Sequence, residues 1–117
     1  VAAFANREQL RQVVQNLVLN AVQAMKEGGV LSLATKLMQI NHKEVVEIRV
    51  ADTGLGIEEK DLKKVFEPFF TDKEKGTGLG LTIVGRIVDG YGGKIEIQSR
   101  INQGTVCTVR LPAGEAI

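Results

Sequence analysis

Apolar residues recur at helical spacing in two stretches of the chain. The first runs from Leu10 to Met25, follows Asn6 as a predicted N-cap, and stops before Gly28-Gly29. The second spans residues 78–91 and places its apolar side chains on one helix face, at Leu81, Val84, Ile87, Val88 and Tyr91. Both patterns predict amphipathic helices that bury one face.

Alternating apolar and polar residues predict four strands, over residues 30–40, 45–51, 94–99 and 105–111. Asn41-His42-Lys43 and Asn102-Gln103-Gly104 indicate turns between paired strands. A short amphipathic helix is predicted over residues 58–65, before Pro68. Because an alternating strand buries only one face, the sheet should carry helices on one side and polar side chains on the other. That arrangement is a two-layer α/β sandwich.

The composition is that of an ordinary globular domain. The 117 residues suit one domain, with 44% hydrophobic residues, 25% charged residues and a net charge of +1. The sequence has no basic stripe for nucleic acid and no apolar run near the roughly 18 residues of a membrane span. Cys107, the single cysteine, excludes an internal disulfide, and its strand pattern predicts burial. Since the chain begins at Val1, we expect a piece excised from a longer protein.

Three glycines at alternate positions, Gly76, Gly78 and Gly80, lead directly into the second long helix. Glycine lets backbone approach a ligand closely, and a helix start offers unpaired N–H groups to an anion such as phosphate. A Rossmann fingerprint would need glycine at Leu81, and a P-loop would need lysine at Arg86, so neither motif fits. A flexible turn before a core helix is the alternative.

Polar residues on two other predicted elements could also bind a ligand. Asn16 and Asn20 lie one helical turn apart beside the apolar face, where amide oxygens could ligate a hard cation or hold phosphate. The alternative is a polar helix edge that satisfies loop backbone. Asp52 ends a strand and precedes Gly54 and Gly56, so its carboxylate could accept hydrogen bonds from an exocyclic amine. The alternative is an Asx turn. His42, the only histidine, is expected to be an exposed turn residue.

Four short motifs complete the pattern: Asn16-Leu17-Val18-Leu19-Asn20-Ala21, Asp52-Thr53-Gly54-Leu55-Gly56, Phe66-Glu67-Pro68-Phe69-Phe70 and Gly76-Thr77-Gly78-Leu79-Gly80-Leu81. In order and spacing they resemble the N, first glycine, F and second glycine boxes of the catalytic, ATP-binding domain of bacterial sensor histidine kinases, in the GHKL superfamily. Gly104-Thr105 resembles a further glycine feature of that family. The short lid and residues 20–25 are similar to the nitrogen-regulation subgroup. The resemblance covers nearly the whole chain.

The resemblance implies a Bergerat-type sandwich, with a mixed β-sheet covered on one face by about three helices and ATP held between the helices. Asp52 would bind the adenine amino group, while Gly54 and Gly56 would shape the adenine pocket. Asn20 would coordinate Mg2+, with Asn16 beside it as a ligand or supporting amide, which makes both catalytic residues. The other implied cofactor-binding residues are Thr71, Lys73, Gly76, Thr77, Gly78, Leu79 and Gly80.

The implied function is transfer of the γ-phosphoryl group of Mg-ATP to a histidine on the dimerisation domain of the same protein, and through it to a response regulator. The chain alone should not label itself. It should contact neither nucleic acid nor a membrane directly, and it should lie in the cytoplasm even if its parent is membrane-anchored.

Three other functions remain open: a GHKL ATPase, an anti-sigma-factor serine kinase and a binding module without chemistry. Related ATPases carry a glutamate four residues before the metal-binding asparagine, where this chain has Asn16, and a neutral amide cannot act as a general base. Many kinases carry lysine where this chain has Gln23, a loss that Lys73 or Lys75 could offset.

Overall fold

Helices cover one face of a four-stranded sheet. In the computed structural model, which describes residues 7–62, 64 and 80–112, the helices are α1 (Arg7–Gln23), α2 (Glu59–Leu62) and α3 (Gly80–Gly90). The strands are β1 (Leu31–Ile40), β2 (Lys43–Asp52), β3 (Lys94–Arg100) and β4 (Gly104–Pro112). The predicted fold class, helices layered on a β-sheet, is confirmed.

Element boundaries agree with the predictions to within two residues at every strand end. Helix α1 ends at Gln23, earlier than its apolar pattern suggested, and the chain then turns through Gly28, whose φ is 95°. The predicted hairpin turns are confirmed, since His42 and Asn102 adopt left-handed φ angles of 67° and 64°. The predicted N-cap Asn6 and the end of the helix predicted over 58–65 lie outside the described residues.

The sheet has the strand order β1-β2-β4-β3, and every pair of described strands is antiparallel. This corrects the expectation of a mixed sheet within the described part of the chain. Two tight hairpins, β1–β2 and β3–β4, each fold a strand back on its neighbour. They join through β2 and β4, where Asp52 at the end of one strand faces Thr105 at the start of the other. Because β2 and β4 also pair antiparallel, the strand direction alternates across all four described strands.

The hydrophobic core lies between the sheet and the two longer helices. The buried side chains of α1 and α3 are those that their periodic patterns predicted to face inward, which confirms the predicted buried face of each helix. Inward-facing residues of β2 and β4 complete the layer, including Cys107, which is 7% exposed and confirms its predicted burial. The buried core residues are Val13, Leu17, Ala21, Ile48, Val50, Val84, Ile87, Val88, Cys107, Val109 and Leu111.

The opposite face of the sheet is polar, as the alternation predicted. Arg110 on β4 donates from Nε to Glu47 Oε2 at 3.0 Å and from an η nitrogen to Glu96 Oε1 at 3.4 Å. Glu47 is only 8% exposed although it lies on the face opposite the described helices. One guanidinium thus links carboxylates on the two strands that flank β4.

Helices α1 and α3 lie side by side over the sheet and run in opposite directions. The Tyr91 hydroxyl, just beyond the end of α3, donates to Gln9 Oε1 in the first turn of α1. The start of α3 therefore lies towards the end of α1. Within the described residues, no helix has the length and apolar character needed to cross a membrane.

Candidate functional site

A cleft opens where the end of α1, the end of β2 and the start of α3 meet. It comprises about 320 Å³, part of which is open to solvent. Two of the predicted ligand-binding residues, Asn20 and Asp52, line it together. The complete lining consists of Leu17, Asn20, Ala21, Val50, Asp52, Ile57, Leu81, Ile97, Thr105 and Cys107. The cleft is therefore apolar with three polar groups at defined positions, which is the usual character of a small-molecule site.

Asp52 is held at the carboxyl end of β2, where the strand gives way to a loop. Its Oδ1 accepts a hydrogen bond from the Gly54 N–H at 2.9 Å, which closes an Asx turn. The two interpretations of Asp52, an Asx turn and a ligand-binding carboxylate, are therefore compatible. Asp52 shapes the turn through Oδ1 and also lines the cleft. Its Oδ2 is the oxygen that would accept from a ligand. Thr105 on β4 lies directly opposite in the sheet and lines the same cleft.

The loop after Asp52 is fixed by backbone hydrogen bonds on both sides. Leu55 N–H donates to the Ala24 carbonyl at 3.0 Å, and the Leu55 carbonyl accepts from Asn102 N–H at 2.7 Å. A side chain at Gly54 would come within 2.7 Å of the Ala24 carbonyl carbon, so the loop can approach α1 only with glycine there. Gly56 adopts a φ of 74°. The two glycines predicted to shape a pocket therefore bring the loop against α1 and the β3–β4 turn.

Asn20 lies in the last turn of α1 on the flank that faces α3, and its side chain is half-buried in the cleft lining. The Nδ2 atom of the Asn20 amide is buried. Asn16 is half-buried one turn earlier on the same flank, but it is not part of the cleft lining. The structure thus brings Asn20 into the site and leaves Asn16 behind it.

Helix α3 presents its first turn to the cleft. It begins at Gly80, and Leu81 lines the cleft directly. No acidic side chain lies in this first turn, so the positive end of the helix dipole is not offset there. Of the glycine stretch, only Gly80 is among the described residues. The other predicted cofactor-binding residues of the lid and glycine stretch lie outside them, as does the Phe66–Phe70 motif: Thr71, Lys73, Gly76, Thr77, Gly78 and Leu79.

Several lining residues were not predicted as parts of a site. The apolar walls of the cleft include Ile57, Ile97 and Cys107. Their sequence pattern does not distinguish a residue that lines a cleft from one that fills the core. Burial raises the pKa of the Cys107 thiol to about 12, so the thiol stays protonated and behaves as an apolar side chain. Ser99 was also missed, although its hydroxyl accepts a hydrogen bond from Ile57 N–H at 2.7 Å.

The charged residues of the site do not form a protein-only metal centre. Among the described residues, no three His, Cys, Asp or Glu side chains are grouped closely enough to hold a metal ion. His42 lies in the exposed β1–β2 turn, as predicted, at the far end of β2 from Asp52. At about 3.3 Å per residue, a ten-residue strand separates the two ends by roughly 30 Å.

Comparisons with known proteins show the family of the chain. The family model described as "Histidine kinase-, DNA gyrase B-, and HSP90-like ATPase" matches residues 5–115. Sporulation kinase D of Bacillus subtilis is 42% identical over 106 residues, which are 91% of this chain and 20% of that protein. The chain thus spans about a fifth of this curated relative.

Solved structures show the same likeness. The catalytic domain of histidine kinase ThkA, in a nucleotide-free form, superposes with a TM-score of 0.80 at 39% identity, covering 93% of this chain and 69% of that one. Full-length ShkA in complex with AMPPNP gives a TM-score of 0.81 at 31% identity, covering 98% of this chain and 24% of that one. The chain therefore belongs to the family of histidine kinase-, DNA gyrase B- and HSP90-like ATPases, and its predicted likeness to histidine kinase catalytic domains is confirmed.

Proposed function

We propose that residues 1–117 form the ATP-binding catalytic domain of a two-component sensor histidine kinase, and that this domain lies in the cytoplasm. The domain binds Mg-ATP and delivers the γ-phosphoryl group to a histidine on the dimerisation domain of the same protein, from which a response regulator takes it. The observation that carries this proposal is the meeting of Asn20, Asp52 and the start of α3 at one cleft.

Adenine recognition is assigned to the part of the cleft that Asp52 lines. The Asp52 carboxylate is a fixed acceptor for the 6-amino group of adenine, because Gly54 N–H holds its other oxygen. The apolar walls of Ile57 and Ile97 suit the faces of a flat base. Full-length ShkA, which shares this fold, is described in complex with AMPPNP, and this supports binding of an adenine nucleotide by the domain as a whole.

The phosphates are assigned to the α3 side of the cleft. The first turn of α3, which begins at Gly80, carries the positive end of the helix dipole and favours an anion, and Gly76, Thr77 and Gly78 are proposed to bind the phosphates as well. Lid residues Thr71 and Lys73, together with Leu79, complete the predicted nucleotide contacts.

Magnesium fits the donor set of the cleft. The Asn20 amide is an oxygen donor in the lining, and a magnesium ion that keeps several waters and phosphate oxygens needs few protein ligands. Asn20 would hold the ion, with Asn16 supporting it from the previous turn. Bound there, the ion would neutralise charge on the transferring phosphoryl group.

Transfer to a separate histidine is favoured over hydrolysis. Asn16 stands where an ATPase would need a general base, and an amide cannot accept a proton from water. The chain's own His42 lies roughly 30 Å from Asp52 along β2, too far to receive the phosphoryl group from ATP bound in the cleft. The acceptor must therefore come from another domain.

The test is incubation with γ-labelled ATP and Mg2+, with the chain alone and with the dimerisation domain of its parent protein. We expect acid-labile label on the dimerisation domain only, and none when its acceptor histidine is replaced. A His42→Ala variant is the matched control and should transfer as well as the wild type. Steady phosphate release by the chain alone would support the ATPase function instead, and label on a serine would support the serine kinase.

A further inference from the structure

The Ser99 side chain lies where three segments around the cleft meet. Its Oγ is 2.7 Å from the Ile57 amide nitrogen in the loop after β2, 3.0 Å from the Gly104 carbonyl oxygen and 2.7 Å from Thr105 Oγ1. Ser99 is half-buried and pairs directly with Thr105 across the β3–β4 ladder. It is thus in contact with a residue that lines the cleft, without lining the cleft itself.

Counting protons fixes the direction of these three hydrogen bonds. A serine hydroxyl has one proton to donate and two lone pairs to accept with. The Ile57 N–H can only donate to Ser99, and the Gly104 carbonyl can only accept from it. All three contacts are hydrogen bonds at once only if Thr105 donates its hydroxyl proton to Ser99. The Thr105 proton is then turned away from the cleft, and the oxygen presents its lone pairs to it.

We propose that Ser99 is a positioning residue for base recognition, and this rests on adenine binding at Asp52. Ser99 fixes the Ile57 loop against the hairpin and sets Thr105 as an acceptor beside the Asp52 carboxylate. Two neighbouring acceptors select a base edge that carries a donor, either directly or through water. The 6-amino group of adenine satisfies them, whereas the 6-oxo group of guanine does not.

The experiment compares binding of ATP with binding of purine riboside 5′-triphosphate, which keeps the sugar and phosphates but lacks the 6-amino group. Calorimetric titrations use the chain as wild type and as the Ser99→Ala, Ser99→Thr and Thr105→Val variants. Ser32→Ala, in an exposed position on β1, is the matched control. Thermal unfolding of each variant reports any loss of stability.

In the wild type, ATP should bind more tightly than the purine analogue. Ser99→Ala should reduce that preference about five- to tenfold, the effect of one net hydrogen bond, while affinity for the analogue changes by less than about twofold. Ser99→Thr keeps a hydroxyl and should keep the preference. Thr105→Val leaves the Ile57 bond in place and should lose the preference to the same extent as Ser99→Ala.

Three results would overturn the inference. Equal weakening of both ligands by Ser99→Ala would show a structural role only, and an unchanged preference in the Thr105→Val variant would remove Thr105 from base recognition. An unchanged preference in the Ser99→Ala variant would likewise remove Ser99 from base recognition. If Ser99→Ala does not fold, an unchanged preference in the Thr105→Val variant still overturns the inference. A wild type that binds both ligands equally well, or neither, would instead overturn adenine recognition at Asp52, and this inference with it.

Discussion

Replacing Gly56 by alanine tests whether the loop after Asp52 is held by close contact with the β3–β4 turn. Gly56 has a φ of 74°, and a Cβ there would lie 2.6 Å from the Arg100 carbonyl carbon and closer still to its oxygen. Ordinary contact begins at 3.4 Å, so the loop and the turn would have to separate. Gly92 is the matched control, because its φ is 70° and a Cβ there would meet nothing within 4 Å.

Both substitutions place alanine in a strained backbone conformation, but only Gly56→Ala also forces the loop away from the turn. Placing alanine in the left-handed region costs each variant about 1–2 kcal/mol of folding free energy. Separating the loop from the turn would also break the Asn102–Leu55 backbone bond and the Ile57–Ser99 bond, both 2.7 Å long. At about 1 kcal/mol for each bond, Gly56→Ala should be destabilised by roughly 2 kcal/mol more than Gly92→Ala.

Urea unfolding of both variants and the wild type measures this difference directly. We expect unchanged m-values, a lower midpoint for Gly56→Ala than for Gly92→Ala, and weaker ATP binding only in Gly56→Ala. Equal free energies of unfolding for the two variants, within about 0.5 kcal/mol, would refute the reasoning, because the close contact would then carry no cost.

Two further predictions concern groups outside the loop. Burial raises the pKa of Cys107 from 9.0 to about 12, so the folded chain keeps a proton that the unfolded chain loses, and stability should fall as pH rises from about 9 to 12. The difference in unfolding free energy between wild type and Cys107→Ala should therefore shrink by about 1.4 kcal/mol per pH unit in that range, and a pH-independent difference would contradict the burial. Arg110→Met removes the cation that pairs with the largely buried Glu47 carboxylate. The free energy of unfolding should fall by about 1–2 kcal/mol, less than for a fully buried pair, because Arg110 is partly exposed. The double variant Arg110→Met, Glu47→Gln should regain most of that loss in urea unfolding, and no recovery would show that the ion pair is not the cause.

Local patterns in the sequence predicted the elements, and non-local pairing decided the sheet. The helical spacing of Val84, Ile87 and Val88 and the alternation in β2 depend on neighbours within a few residues, so they could be recognised directly. The contact between β2 and β4 joins residues more than fifty positions apart, such as Asp52 and Thr105. Alternation is the same for parallel and antiparallel pairing on one buried face, so it gave no reason to correct the mixed sheet that the family resemblance implied.

The candidate site was predictable where a residue type is unusual for its position. Asn20 beside an apolar helix face and Asp52 between a strand and two glycines are such residues, and both line the cleft. Ser99 gave a comparable but weaker indication, since it follows Ile95 and Ile97 on the inward face of β3, where an apolar residue would be usual. Its partners Ile57 and Gly104 are apparent only once the loop and hairpin are in place.

The most direct test of the central claim is calorimetric titration of the wild type and the Asp52→Asn variant with ATP and GTP, each with and without Mg2+. The wild type should bind ATP in preference to GTP and more tightly with Mg2+. Asp52→Asn should lose about tenfold or more in ATP affinity, because a hydrogen bond to a charged acceptor becomes one to a neutral amide. Unchanged ATP affinity in Asp52→Asn, alongside normal folding, would contradict the assignment of adenine to this cleft.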